Sequence, residues 1–273
     1  MKYIFLLIII PVIIFSGGYT YENINTPLEM YFVSDRNIKV GEELTYVVSY
    51  TFIKLGEVKI KLRDKKEING KTVYNTVAYI NSYPGVPLVD LHQIYESKVN
   101  QNYYSEFFRG IVKYSDYSSF TEYNFDYNNS KIRIRKGKVN PHEIWTDSLG
   151  YTNKQLQDGL SILYFSRMSF GKKQSVNVPC FVKEKIENTK INFYTDVQKV
   201  NVDAIDYDVA CLRLDGQTDF VSVFGLTGYF EGWFSNDDAS IPIVAKMKVI
   251  IGNVKLELKE WKRDGWIPPK YHD

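Results

Sequence analysis

The residues best suited to chemistry in this chain are few and scattered. The three histidines are His92, His142 and His272. None stands at metal-ligand spacing from another His, a Cys or a carboxylate. Each reads as a surface or half-buried side chain, so no metal and no other cofactor is expected. A serine nucleophile needs a base in reach, and the chain holds no G-x-S-x-G elbow. Ser161 has Asp158 three residues before it, an ordinary pair on a helix. Asp237 and Asp238 follow Ser235-Asn236 at a break between strands, where such residues stabilise turns through their own backbone. No glycine-rich phosphate loop or dinucleotide fingerprint is present. The expectation is therefore a non-enzymatic protein, with a hydrolase of surface polymers working through Asp158, Ser161 or Asp237 as a minor alternative. Cys180 and Cys211 form a disulfide if their strands are neighbours, and otherwise serve as two small buried hydrophobes.

The N-terminus supplies an address. Lys2 precedes the apolar run Tyr3 to Phe15, which ends in Ser16, Gly17 and Gly18. A cationic start, about a dozen apolar residues and a small-residue end read as a secretory signal over residues 1–18. The run is shorter than the ~20 residues of a membrane span. The expected location is the periplasm or the outer-membrane surface, with no integral membrane span after cleavage. The alternative is that the run stays as a membrane anchor. No cysteine follows it, so a bacterial lipobox is not available.

Composition narrows the partners. Lys and Arg number 34 against 32 Asp and Glu. A protein that grips phosphates shows a basic excess or stripe. This chain has neither, and no nucleic-acid partner is expected. Lys131-Ile-Arg-Ile-Arg-Lys136 alternates charged and apolar residues, as the solvated face of a strand does. The outlier is aromatic content: 22 Tyr, 16 Phe and 4 Trp. Such rings suit a pleated sheet with a partly wet surface.

The elements that carry these residues are mostly strands. Leu44, Tyr46, Val48 and Tyr50 share one face, and Val58, Ile60 and Leu62 oppose Lys59, Lys61 and Arg63. Asn69-Gly70 marks a type I′ hairpin turn, and Gly252-Asn253 a type II′ turn between Ile241–Ile251 and Val254–Leu258. Tyr207 to Leu214 is apolar on both faces and reads as a central strand. Thr152 to Met168 breaks the two-residue period. Its Leu156, Leu160, Leu163 and Tyr164 form a helical stripe, and Thr152 with Gln155 resembles a capping box. The fold class is all-β and mainly antiparallel, with roughly ten to fourteen strands. They form a large curved sheet or open β-barrel, with one amphipathic helix over about 153–168 packed against it. A leader covers 19–38, a single β-rich domain 39–262 and an irregular tail 263–273. Such a sheet encloses an apolar cavity, or is filled with side chains.

Three stretches resemble a known family. Val40-Gly41-Glu42-Glu43-Leu44-Thr45-Tyr46 with Gly56, the segment Asp158-Gly-Leu-Ser-Ile-Leu-Tyr-Phe-Ser-Arg167, and Phe234 to Asp238 with Pro242 and Gly252 are similar to the patterns of DUF3108, exported bacterial proteins of unassigned function. The resemblance covers about 39–260 and implies an envelope location and a mostly β domain. It brings no catalytic residue. A looser architectural likeness runs to the LolA/LolB lipoprotein carriers. The motif residues, Gly41, Glu42, Tyr46, Gly56, Asp158, Leu160, Ser161, Tyr164, Arg167, Asp238, Pro242 and Gly252, read as structural. Asp158 and Arg167 are too far apart to pair along one helix face. Each is expected to anchor the helix to the sheet, Arg167 through a bidentate partner. The functional expectation is binding of a lipid or other apolar envelope component in the concave sheet. The alternative is a protein-interaction or scaffolding module that uses a sheet edge or an aromatic patch. No oligomeric state is expected from the sequence.

Overall fold

The computed structural model describes residues 38–68, 70–86, 90–221, 226–249 and 252–272. The secretory signal and nearly all of the leader lie outside this set.

Fourteen strands form one antiparallel sheet. The first eight are β1 (Glu43–Tyr50), β2 (Ile53–Ile68), β3 (Lys71–Ser82), β4 (His92–Asn100), β5 (Ser105–Lys113), β6 (Ser118–Asp126), β7 (Lys131–Lys138) and β8 (Glu143–Tyr151). After the helix α1 (Ser161–Met168) come β9 (Gln174–Val182), β10 (Lys185–Val202), β11 (Ile205–Val221), β12 (Leu226–Ser235), β13 (Pro242–Val249) and β14 (Gly252–Lys262). Each strand pairs with its neighbours in sequence, except that β8 and β9 do not pair. β1 pairs in addition with β14, from Glu43 opposite Lys262 to Ser49 opposite Lys255. The order is therefore β8 to β1, then β14 back to β9, with β8 and β9 as the two edges.

The alternation in the sequence is visible in the burial. Leu44 and Tyr46 are buried in β1, and Val58 and Leu62 in β2, while Lys59, Lys61 and Arg63 lie on the other face. Gly56 meets β3 so closely that a Cβ there would sit 2.3 Å from the Asn81 carbonyl. Only glycine fits that position. β11 is buried on both faces from Val209 to Leu212. Gly70, at φ +73°, lies in the two-residue link between Ile68 and Lys71; Asn69 falls outside the described residues. The Gly252-Asn253 turn is corrected. Gly252 pairs with Val249 and Asn253 with Lys248, so both belong to β14; residues 250–251 lie outside the described residues.

The helix is shorter than the stripe suggested. It runs from Ser161 to Met168, not from about 153. Residues 152–160 are extended or turn because their polar groups serve the sheet. The Thr152 hydroxyl engages the Lys154 backbone rather than closing a capping box. Gln157 forms a parallel bridge to Cys180 on β9. Leu156 and Leu160 are nevertheless buried, as is Tyr164.

The inside of the sheet is filled by side chains. One cluster gathers β1, β11, β13 and β14 around Leu44, Tyr46, Val209, Ile241, Ile243 and Leu258. A second packs Tyr95, Phe108, Tyr123, Phe125 and Phe181 against Tyr164 of α1. A third packs Phe165 and Phe170 against Val178, Phe193, Leu214 and Phe234. The tail is irregular but docked: Ala210 N–H donates to the Pro269 carbonyl, and Tyr271 N–H to that of Asp208.

Candidate functional site

Two buried polar anchors hold α1. At its C-terminal end Arg167 is 0 % exposed and Glu42, just before β1, is 2 % exposed. Arg167 Nη1 and Nη2 donate to Glu42 Oε1 and Oε2 at 2.6 and 3.0 Å, and Nη2 also donates to the Ala239 carbonyl at 2.9 Å. Arg263, at the end of β14, donates from Nη1 to Glu42 Oε2 at 2.8 Å. The guanidinium of Arg167 lies 5.6 Å from the Tyr164 ring. Tyr46 donates its hydroxyl to the Pro242 carbonyl nearby. Burial alone would raise the Glu42 carboxyl, but Arg167 and then Arg263 outweigh it and hold the group below its ordinary range.

At the N-terminal end Asp158 is 2 % exposed. One oxygen accepts from the Ser97 and Ser105 hydroxyls at 2.6 and 2.5 Å. The other accepts from the Leu160 and Ser161 N–H groups at 2.7 and 2.8 Å. These donors restrain the turn into α1 and tie it to β4 and β5. Burial nonetheless dominates, and the Asp158 carboxyl sits above its ordinary range. Ser161 is 0 % exposed, and its hydroxyl donates to Gln157 Oε1 at 2.6 Å. With every lone pair of the neighbouring carboxylate committed and no solvent at the hydroxyl, this pair is built to restrain, not to attack.

The remaining sequence candidates fall into place around these anchors. Glu42, Tyr46, Tyr164, Arg167 and Pro242 converge at one end of α1, and Asp158, Leu160 and Ser161 at the other. Gly56 and Gly252 lie apart from both. The exposed Asp238 is not the residue that holds its turn. Its neighbour Asp237 does so, accepting from the Ser235 hydroxyl, the Ala239 and Ser240 N–H groups and Trp266 Nε1. Cys180 and Cys211 are free and buried. Their strands, β9 and β11, are separated by β10, which excludes the disulfide. Burial pushes both thiols up to about 12. His92 lies against Asn81 and Asp90, His142 stacks on Phe120, and His272 is exposed. Among the described residues no cluster of His, Cys, Asp and Glu is arranged to hold a metal.

The open sheet is closed by a seam, and the seam leaves one edge outside. Leu156 accepts from the Ser105 N–H of β5. The next residue, Gln157, donates its N–H to the Pro179 carbonyl of β9 and accepts from Phe181 N–H, each at 2.8 Å. Phe181 stands edge-on to Tyr123 of β6 at 4.9 Å, and Glu184 accepts from Tyr123 and pairs with Lys136 of β7. β8 lies beyond this closure. Eight of its nine residues are exposed and Gly150 is half-buried. Ile144, Trp145, Leu149 and Tyr151 are 40, 50, 55 and 57 % exposed. Near its start Tyr114 and Tyr117 stack at 4.9 Å, and Trp145 stands edge-on to Tyr117 at 6.2 Å. A shallow groove of about 250 Å³ lies here, lined by Lys113, Tyr114, Tyr117 and Asn140. Sequence reasoning passed over this strand, whose apolar residues follow no two-residue period. The adjacent Ile144-Trp145 pair was the available signal.

Among the described residues no helix is long and apolar enough to cross a membrane. Several solved structures are similar to the chain, three of them as follows. A β-barrel-like protein of domain DUF1849 from Brucella abortus shares 10 % identity over 82 % of this chain and 97 % of its own, with a TM-score of 0.46. A protein from Bacteroides fragilis described as exported, with a YmcC-like fold, shares 8 % over 85 % of this chain and 100 % of its own, at 0.34. One from Parabacteroides distasonis classed as a lipoprotein shares 9 % over 85 % of this chain and 98 % of its own, at 0.31. No curated protein matches the chain. A family model described as a protein of unknown function, DUF3108, matches residues 45–259, and the chain belongs to that family.

Proposed function

We propose that this chain is an exported, non-enzymatic envelope protein that works by offering the free edge strand β8 and its aromatic flank to a protein partner. The observation that carries the reading is a nine-residue edge, exposed along its length and holding four large apolar side chains. An open edge presents a row of unpaired N–H and C=O groups, and proteins ordinarily cover such edges or blunt them. Here the opposite edge, β9, is covered at its middle by Gln157, while none of the described residues pairs with β8 on its open side. Export rests on the apolar run after Lys2, and its address is the periplasm or the outer-membrane surface.

The reading in which an apolar envelope component sits inside the sheet needs a hollow concave face. Three clusters of packed side chains lie on that face, which favours the edge as the site. A photo-crosslinking side chain at Leu149, introduced in cells, tests the choice. The expected result is a specific adduct at Leu149, absent when the same group replaces Lys246 on β13. Lipid that co-purifies with the chain in native mass spectrometry, without any adduct at Leu149, would return the function to the interior.

A further inference from the structure

We propose that the partner of β8 is β8 of a second copy of this chain, paired antiparallel about a two-fold axis at Ser148. The proposal rests on the edge reading above and adds the identity of the partner.

The first argument is that, among the described residues, β8 is the edge left uncovered along its length, while β9 is interrupted at its middle. On β9 the groups facing outward include the Pro179 carbonyl and the Phe181 N–H, and Gln157 already takes both. Pro179 has no N–H to offer at the same edge. A β8-to-β9 contact, which would propagate copy after copy, is thereby blocked. The contact left to two copies is edge to like edge, which is isologous and closes at two.

The second argument is register. Thr152 N–H donates to the Ser130 carbonyl on the β7 side. In an antiparallel ladder the main-chain groups alternate, so Gly150, Ser148 and Thr146 face β7, while Tyr151, Leu149 and Asp147 face the open side. The outward groups of one copy can therefore meet those of another directly. An axis at Asp147 would set Asp147 against its own copy, and like charges directly opposite are destabilising. An axis at Ser148 sets Asp147 opposite Leu149 and brings Tyr151 near Trp145, the extra residue of the β7–β8 bulge. Aromatic cross-strand pairs of the latter kind are favourable. The register partners of Gly150, Ser148 and Thr146 are Ile132, Ile134 and Lys136, so these three share the other face. They are small enough to approach their copies without a clash.

The third argument is charge. Arg133 is held by Asp147 through Nε and Nη2 at 2.9 and 2.6 Å, and Arg135 pairs with Glu122. Arg133 and Arg135 are thus neutralised within each copy, which lessens like-charge repulsion where two copies meet; Lys131 and Lys138 of β7 also lie beside the edge. Four apolar side chains about half exposed offer at most on the order of 400–500 Å² per copy, the size of a weak, transient interface. Dimerisation is accordingly expected to be weak and concentration-dependent, area alone not setting affinity.

The test uses the full exported chain. S148C sits on the axis, at a non-hydrogen-bonded pair whose Cα separation of ~4.5 Å suits a disulfide. The two native thiols are buried and do not compete. Under mild oxidation S148C should form a covalent dimer, while K246C, equally exposed on β13, should not. Sedimentation of the unmodified chain should show reversible dimers at concentrations up to about 100 µM. L149D should weaken them at least tenfold with an unchanged circular dichroism spectrum. A chain that stays monomeric at about 100 µM, with S148C no more crosslinked than K246C, overturns self-pairing. If a photo-crosslinker at Leu149 then captures a different protein in cells, the edge reading stands and only the partner is wrong. If it captures nothing, both fall.

Discussion

Glu42→Gln is the sharpest perturbation of the anchor at the end of α1. The carboxylate is 2 % exposed and receives three N–H groups from two guanidinium ions. A glutamine keeps the shape but offers one acceptor and turns an NH₂ toward Arg167. It leaves Arg167, 0 % exposed, as a buried cation without a carboxylate. Removing one partner of a buried pair costs about 3–5 kcal/mol, and E42Q belongs at the upper end. R167M belongs at the lower end, because Arg263 still faces Glu42 in that variant. At roughly 2–4 °C per kcal/mol for a domain of this size, a loss of about 4 kcal/mol lowers Tm by roughly 8–16 °C. Equilibrium denaturation in guanidinium chloride, followed by tryptophan fluorescence, measures it, with the slope m unchanged. The folded-state pKa of Glu42 lies below its unfolded value near 4.5. Its contribution is therefore present above pH 4.5 and is lost as pH falls through the folded pKa. The gap between native protein and E42Q should shrink in that window. A loss under about 1 kcal/mol, the size of an exposed pair, or a larger loss for R167M than for E42Q, would refute the reasoning.

Asp158→Asn should show the opposite pH slope. The folded pKa of Asp158 is raised by burial, so its contribution is greatest below the unfolded value near 3.8 and declines as pH rises toward the folded pKa. The stability of the native protein relative to D158N should fall over that range, and a rise would contradict the assignment. Gly137→Ala would place a Cβ 1.9 Å from the Glu143 carbonyl at the β7–β8 bulge. Overpacking of this kind costs about 1–3 kcal/mol, and hydrogen exchange should localise the loosening to β8. Cys180 and Cys211 should resist a thiol reagent in the native state, and both should react after unfolding. Reaction of either without unfolding would show that β9 or β11 opens locally.

Where burial falls on one face, the sequence was legible. The alternation of Leu44, Tyr46 and Val48, and of Val58, Ile60 and Leu62, predicts strands that the sheet contains. The anchoring roles of Asp158 and Arg167 were legible from residue type and spacing. Their partners were not, because Glu42 lies 125 residues from Arg167 and Ser97 lies 61 from Asp158. The helix start was misplaced because Leu156 and Leu160 satisfy a helical stripe while Gln157 between them is hydrogen-bonded to β9. Local pattern cannot see a competing strand edge. β8 escaped notice for a related reason: exposure on both faces removes the period that burial imposes.

The pairing of β1 with β14 carries a consequence for biogenesis. Glu43 finds its partner on β14 only when Lys262 has been made. Until then a chain made from its N-terminus holds β1 to β8 as a half-finished wall with β1's flank raw, and the Glu42 carboxylate still waits for Arg263. Truncation before Gly252 should therefore yield aggregate rather than a smaller folded species.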